Sequence, residues 1–136
     1  MLLGIPLLVL PLIAYNVLTF VTEIVWSREV IGVNMVSGAR WVLTVEDLFI
    51  TVALLLLFVE ILKATRTGFG SVFDHAMSTL VFIVCLVEFL VVPQAATSVY
   101  FLMTAIALID VVAGYSVTIR AARRDFAVDH YPPGSY

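Results

Sequence analysis

The chain has 136 residues, of which 62% are hydrophobic and 12% are charged, and its formal net charge is −3. A soluble domain contains about 45–50% apolar and about 25% charged residues, so this composition excludes an ordinary water-soluble globule. The mean hydropathy of +1.13 instead indicates an integral membrane protein whose solvent is lipid, and no basic stripe suggests nucleic acid as a partner.

Four apolar stretches are long enough to cross a hydrocarbon core about 30 Å thick, which takes about 20 helical residues. The predicted spans are 2–25, 41–63, 75–92 and 98–119. The first contains Pro6 and Pro11, which a membrane helix tolerates with a bend. It follows no basic segment and has no small-residue cleavage site, so we interpret it as a retained span rather than a signal peptide. Residues 1–124 are thus predicted to form one all-α, polytopic domain, a bundle of four transmembrane helices.

The connections between the predicted spans differ in character. The first, 26–40, is polar, but its apolar residues predict a short segment at the membrane surface: Val30, Ile31, Val33, Met35 and Val36. The sequence leaves the secondary structure of this connection open. Thr67-Gly68-Phe69-Gly70 predicts a turn, and Asp74 is expected to cap the third helix. The short link 93–97 predicts a hairpin of the last two helices, and the polar residues 125–136 are expected to be disordered.

Basic residues beside the spans predict the orientation of the chain. Five lie on the same side as the N-terminus: Lys63, Arg66, Arg120, Arg123 and Arg124. Arg28 and Arg40 lie on the other side. This asymmetry predicts that both termini are cytoplasmic, and the compact polytopic form favours a bacterial inner membrane. Trp26, Trp41 and Tyr100 are expected to lie in the aromatic belt at the outer interface.

Polar groups interrupt every predicted span, and an ionisable group costs about 2.5–3.5 kcal/mol at the centre of a membrane helix. The candidate functional residues are Asn16 and Glu23 in the first span, Glu60 in the second, Glu88 in the third and Asp110 in the fourth. Helical spacing places Asp110 in a stripe of small residues, formed by Ala107, Ala113 and Gly114, that favours close packing of helices.

Two interpretations of these polar groups remain open. In the first, the carboxyl groups are neutral or hydrogen-bonded and join helices, and Glu60 pairs with Lys63 or Arg120. In the second, four carboxyl groups at successively more outward depths form a proton or cation path: Glu60, Asp110, Glu88 and Glu23.

Motifs of soluble chemistry are missing from the sequence. There is no hydrolase elbow, zinc-protease motif or phosphate-binding loop. The single cysteine, Cys85, excludes an intrachain disulfide and is expected to be a small buried residue. His75 and His130 do not suggest haem ligation, because His130 lies in the polar tail. We therefore expect neither enzymatic activity nor a cofactor.

One arrangement of motifs resembles a known family. Val45-Glu46-Asp47 opens the second span, which closes with Phe58-Val59-Glu60 and Lys63, and Thr67-Gly68-Phe69 precedes the third span. The third span ends in Leu90-Val91-Val92, and the last ends in basic residues. This order, over residues 45–124, resembles the PsiE family of phosphate-starvation-inducible membrane proteins, which has a basic residue in place of Glu88. The resemblance implies a four-span fold and assigns no activity.

These observations favour a non-catalytic accessory or assembly subunit that packs against other membrane proteins or against copies of itself. The stripe around Asp110 and the missing catalytic motifs motivate this hypothesis. The alternative is a protein that binds or conducts protons or cations through Asp110 and Glu88. A lipid- or quinone-binding role has no residue-level signal.

Overall fold

The computed structural model describes residues 5–65 and 69–128. The elements are helix α1 (Val9–Val21), strand β1 (Glu29–Asn34), strand β2 (Arg40–Thr44), helix α2 (Val45–Ala64), helix α3 (Phe69–Val91), a 3-10 turn (Pro93–Ala95) and helix α4 (Ser98–Val128). The chain is thus mainly helical, as the composition predicts. The exception is an antiparallel β-hairpin formed by β1 and β2. Strand β1 lies in the connection 26–40, whose structure the sequence left open, but β2 takes up residues 41–44 of the predicted second span, so α2 begins at Val45 and the predicted start of that span is wrong.

Within the described residues, two helices are long and apolar enough to cross a membrane. These are Phe73–Val91 within α3 and Ser98–Arg120 within α4, and only 22% and 33% of their apolar windows are buried in the protein. Helix α1 is apolar but has only 13 residues. Helix α2 has 20 residues, with acidic residues in its first turn and Glu60 and Lys63 near its end. Length and composition therefore support two of the four predicted spans directly.

The observed helix bounds differ from several expectations. Helix α1 is shorter than the stretch 2–25, because Pro6 precedes it and the chain leaves helical geometry after Val21. Helix α3 already begins at Phe69, so the prediction that Asp74 caps it is wrong: Asp74 lies in the second turn. Helix α4 continues to Val128, so residues 125–128 are helical rather than disordered. Phe69 and Gly70 of the predicted turn belong to α3, so the turn prediction is wrong for them. Residues 66–68 and the tail 129–136 lie outside the described residues.

The hairpin passes directly into α2 at Thr44. The Thr44 hydroxyl accepts a hydrogen bond from the Asp47 backbone N–H at 3.3 Å, and the Asp47 carboxylate accepts one from the Thr44 backbone N–H at 2.9 Å. This reciprocal capping box satisfies donors that the first helical turn leaves free. The other end of the hairpin turns at Gly38, whose φ of +85° is readily adopted only by glycine.

Helix α4 is the centre of the bundle. Helices α2 and α3 both pack against α4, and α1 makes smaller contacts with α2 and α4. The core side chains come from all four helices and include Tyr15, Leu57, Cys85, Tyr100 and Met103. Cys85 is 1% exposed, in agreement with the buried role expected for it.

Candidate functional site

Buried polar side chains gather where α2, α3 and α4 meet. We call Glu60, Lys63, His75, Ser78 and Asp110 the buried polar cluster. All except Lys63 are among the buried polar residues of the described chain. A polar group in an apolar interior must be hydrogen-bonded or charge-paired to be tolerated, so the contacts of each member indicate its role.

The Glu60–Lys63 ion pair ties the N-terminal segment to the end of α2. Lys63 Nζ donates to the two Glu60 carboxylate oxygens at 3.0 and 3.2 Å and to the Ile5 carbonyl at 3.3 Å. The Leu7 backbone N–H donates to Glu60 Oε2 at 3.0 Å. Both side chains are largely buried, with 6% of Glu60 and 15% of Lys63 exposed. Lys63, rather than Arg120, is thus the partner of Glu60.

Asp110 is held in the interior of the bundle on α4 and is 3% exposed. Its carboxyl group makes a hydrogen bond with the Ser78 side chain on α3, and Glu60 and Lys63 are near enough to act on it electrostatically. Asp110 therefore connects α3 and α4, and the ion pair on α2 adds charge to the same region. This geometry agrees with the interpretation that the carboxyl groups join helices.

His75 is the member of this cluster that sequence reasoning missed. Its imidazole is hydrogen-bonded to the Thr118 hydroxyl, and a Cβ atom at Gly114 would lie 2.7 Å from its Nδ1 atom. Gly114 thus provides the space in which the ring packs against α4. Asp110, Gly114 and Thr118 follow one another at intervals of four residues and therefore lie on one face of α4. This spacing was the sequence signal that could have pointed to a buried polar partner such as His75.

The small-residue stripe packs within this chain. Ala107 is 3% exposed, and Gly114 is buried beneath the His75 ring. Ala113 is half-buried. Because these residues allow α4 to approach its neighbours in the bundle, most of the stripe is covered and does not form an open docking surface for another protein.

A second cluster lies toward the end of the bundle that carries the hairpin. We call its five rings the aromatic cluster: Tyr15, Trp26, Phe49, Phe89 and Tyr100. The Tyr15 ring stacks on Trp26 at 4.9 Å between centroids and meets Tyr100 edge-on at 4.7 Å. Tyr100 is 0% exposed, so its predicted place in an interfacial belt is wrong. Its ring instead packs against Tyr15 of α1, while its hydroxyl reaches an acceptor on α3.

Glu88 provides that acceptor. The Tyr100 hydroxyl donates to Glu88 Oε2 at 2.7 Å, and Glu88 is half-buried. The Tyr15 hydroxyl donates to the Gln94 carbonyl at 3.0 Å and shares a hydrogen bond of 2.7 Å with the Thr97 hydroxyl. These contacts fix α1 against the connection between α3 and α4.

Asn16 and Glu23 join neither cluster. The Asn16 side-chain amide donates to the Leu12 carbonyl of its own helix at 3.1 Å. Glu23 is exposed and has a φ of +50° in the segment that follows α1. An amide that bonds within its own turn is a local structural feature. These positions therefore add nothing to the contacts of the two clusters.

The four carboxyl groups of the predicted ladder are consequently divided. Glu60 and Asp110 belong to the buried polar cluster, whereas Glu88 belongs with the aromatic cluster. Ser78 and Glu88 are ten residues apart on α3, which corresponds to about 15 Å along the axis. The buried side chains between these levels are mostly apolar, among them Val81, Cys85 and Met103, and the hydroxyl of the buried Thr104 donates to the Tyr100 carbonyl of its own helix. Proton transfer along hydrogen bonds would have to cross this apolar layer.

Metal chemistry has no support in the described residues. Within 5–65 and 69–128, no group of three or more His, Cys, Asp or Glu side chains is placed to hold a metal ion.

A groove of about 190 Å³ lies between the first turns of α2 and α4, lined by Glu46, Asp47, Ile50, Thr51, Ser98, Val99 and Leu102. Its Asp47 is already engaged in the capping box with Thr44.

Comparison of the chain with protein-family models, with curated proteins and with solved structures finds no significant match. The resemblance to the PsiE family therefore stays a prediction, and the assignment of function depends on the geometry described above.

Proposed function

We propose that this chain is a non-catalytic integral membrane protein of the bacterial inner membrane, with four membrane-crossing segments and both termini in the cytoplasm. It acts as an accessory or assembly subunit of a larger membrane complex, or as a homo-oligomer. One observation carries the proposal: α3 and α4 are apolar and only a minority of their residues is buried, while inside the bundle Glu60 is paired with Lys63 and Glu88 with Tyr100.

The pattern of burial favours a membrane over water as the solvent. A core helix of a soluble protein is mostly covered by its neighbours, whereas only 22% and 33% of the residues in the apolar windows of α3 and α4 are buried. The exposed side chains include large aliphatic groups, among them Leu80, Val87, Leu102 and Ile109. So large an exposed apolar surface is rare on soluble monomers and is expected where lipid provides the cover.

The course of the first segment supports four crossings rather than two. The Ile5 carbonyl is bonded to Lys63 at the end of α2, and the Trp26 carbonyl accepts from the Glu46 backbone N–H at 3.1 Å at its beginning. Residues 5–26 therefore run antiparallel to α2 between Lys63 and Glu46, a helical rise of about 26 Å. Although α1 itself is short, the segment extends over most of a hydrocarbon core about 30 Å thick.

The surface offered to a partner is the outer face of α2, because the small-residue stripe is covered. Five side chains at helical spacing form this face, each 40–62% exposed: Leu48, Val52, Leu55, Val59 and Leu62. In lipid, helices associate by van der Waals packing of such faces. A second helix, from another subunit or another copy, would bury this face without leaving any charged group unpaired.

Purification of a tagged copy from native membranes in mild detergent tests this role. We expect stoichiometric partners, or a defined oligomer, by mass spectrometry of the intact complex. Leu55→Trp with Val59→Trp should disrupt the assembly, because bulky rings prevent close approach on α2. The matched pair Leu80→Trp with Val87→Trp on α3 should leave it intact. A chain that elutes alone as a monomer would refute the accessory role.

Cysteine labelling tests the number of crossings. With Cys85→Ala as the background, the chain has no other cysteine. Ser37→Cys at the hairpin and Thr65→Cys after α2 occupy exposed positions. We expect an impermeant maleimide to label Ser37→Cys in intact cells and Thr65→Cys only after permeabilisation. Labelling of both positions from the same side would exclude α2 as a span and so contradict four crossings.

The alternative function, proton or cation binding and conduction, has one observation in its favour: Glu60, His75 and Asp110 lie in a single buried cluster. Flux into liposomes is compared for the wild-type chain, Asp110→Asn and Glu88→Gln. Conduction through this cluster would be lost in Asp110→Asn and retained in Glu88→Gln, which alters the separate aromatic cluster. Equal flux in all three would remove this alternative.

A further inference from the structure

The β-hairpin has two faces of opposite character. The register pairs Val33 with Trp41 and Ile31 with Leu43, so these four side chains share one face. Glu29 and Arg40 form an ion pair of 2.6 Å, whose atoms lie over the backbone of Gly32 on the opposite face. The hairpin is thus amphipathic, with an apolar face and a charge-paired face. We call the four apolar side chains the hairpin apolar face.

The hairpin apolar face is not covered by the described parts of the chain. Three of its side chains, Ile31, Val33 and Trp41, are 52%, 44% and 50% exposed, whereas Leu43 at the base of the hairpin is half-buried. An isolated two-stranded hairpin is marginally stable in water and needs a hydrophobic contact on one face to persist. Among the described residues, this face is thus open to a further surface that would cover it.

The base of the hairpin is fixed to the first turn of α2. The Val45 backbone N–H donates to the Arg28 carbonyl at 3.0 Å, and Thr44 is both the last residue of β2 and the cap of α2. The hairpin consequently emerges at the level where α2 begins. In a chain that crosses the bilayer, this level is the interface, where tryptophan is enriched because its ring is apolar and its N–H is polar.

We propose that the hairpin apolar face lies against the headgroup region of the outer leaflet and anchors the protein in that interface. The proposal depends on the membrane-spanning function argued above. Lipid is the favoured occupant because this face is apolar, contains Trp41 and emerges at the level where α2 begins, which in a membrane-spanning chain is the bilayer surface. The Glu29–Arg40 pair, on the other face, then points toward water, as in amphipathic interfacial elements.

Tryptophan fluorescence in vesicles tests this placement. The chain has two tryptophans, so Trp26→Phe reports on Trp41 and Trp41→Phe reports on Trp26. Because Trp26 packs in the aromatic cluster, the signal of Trp41 is also obtained by subtracting the spectrum of Trp41→Phe from that of the wild-type chain. The vesicles contain phosphatidylcholine and phosphatidylglycerol, with or without bromine on the acyl-chain carbons nearest the headgroup.

We expect Trp41 to emit at a short wavelength, to be quenched by the brominated lipid and to be protected from acrylamide in the water. Val33→Ser, on the apolar face, should shift its emission to longer wavelength and increase quenching by acrylamide. The matched change Val42→Ser lies on the other face and should alter neither property.

Quenching of Trp41 by acrylamide but not by brominated lipid would overturn the proposal. Protection from both quenchers that increases with the ratio of protein to lipid would also overturn it, since a second copy would then cover the face. The membrane-spanning function is measured separately, by flotation of the chain with vesicles after alkaline extraction. A chain that floats but exposes Trp41 contradicts only the anchoring role, whereas a chain that does not float contradicts both.

Discussion

Replacing Lys63 with methionine is expected to destabilise the folded bundle by about 3–5 kcal/mol, the usual cost of leaving one partner of a buried ion pair uncompensated. Glu60 would keep its place among buried side chains but lose the ammonium group that bonds both of its oxygens. The Ile5 carbonyl would lose a donor in the same step. Unfolding in increasing fractions of sodium dodecyl sulfate, followed by circular dichroism, measures the loss.

The hairpin pair is the matched control for this prediction. Arg40 and Glu29 are 62% and 44% exposed, so Arg40→Met should change the free energy of unfolding by only about 0.2–1 kcal/mol. The double variant Lys63→Met, Glu60→Gln removes both charges and should recover much of the stability lost in Lys63→Met. Equal losses from Arg40→Met and Lys63→Met would contradict the structural role of the buried pair.

Replacing Gly114 with valine is expected to force α3 and α4 apart. Even the first carbon of a side chain would lie 2.7 Å from Nδ1 and 2.9 Å from Cε1 of His75. The imidazole is buried and bonded to Thr118, so it has little freedom to move aside. Overpacking of this kind costs about 1–3 kcal/mol. Removal of glycine from a helix gains at most about 1 kcal/mol, and valine gains less than alanine, so the steric term decides the sign.

Ser116→Val tests whether valine itself, rather than its position, disturbs α4. Ser116 is exposed, and its hydroxyl donates to the Val112 carbonyl of its own helix. We therefore expect little change in the same unfolding assay. Gly114→Val combined with His75→Ala should regain part of the lost stability, because the smaller side chain vacates the space. A stable Gly114→Val single variant would show that the ring does not constrain this position.

The helical class of the protein and the approximate course of α2, α3 and α4 follow from the sequence. Uninterrupted apolar residues of spanning length predict helices directly, because lipid leaves the backbone few other ways to satisfy its hydrogen bonds. The pairing of Glu60 with Lys63 was also within reach, since residues three apart on a helix are neighbours. Helix ends were less predictable: Asp74 resembles a cap, yet α3 begins five residues earlier.

Only the tertiary structure decided which polar groups meet. The depths of Glu60, Asp110, Glu88 and Glu23 suggest one ladder, but depth along a helix does not specify which face packs against which neighbour. The fold brings His75 over Gly114 and pairs Glu88 with Tyr100, and both contacts join residues of different helices. The hairpin likewise depends on a contact outside the local pattern, because β1 pairs with residues 40–44, most of which continue the apolar stretch of α2. Composition and periodicity thus determine the helical class of this protein, whereas the contacts between elements determine its polar clusters, because those contacts depend on distances that no local pattern encodes.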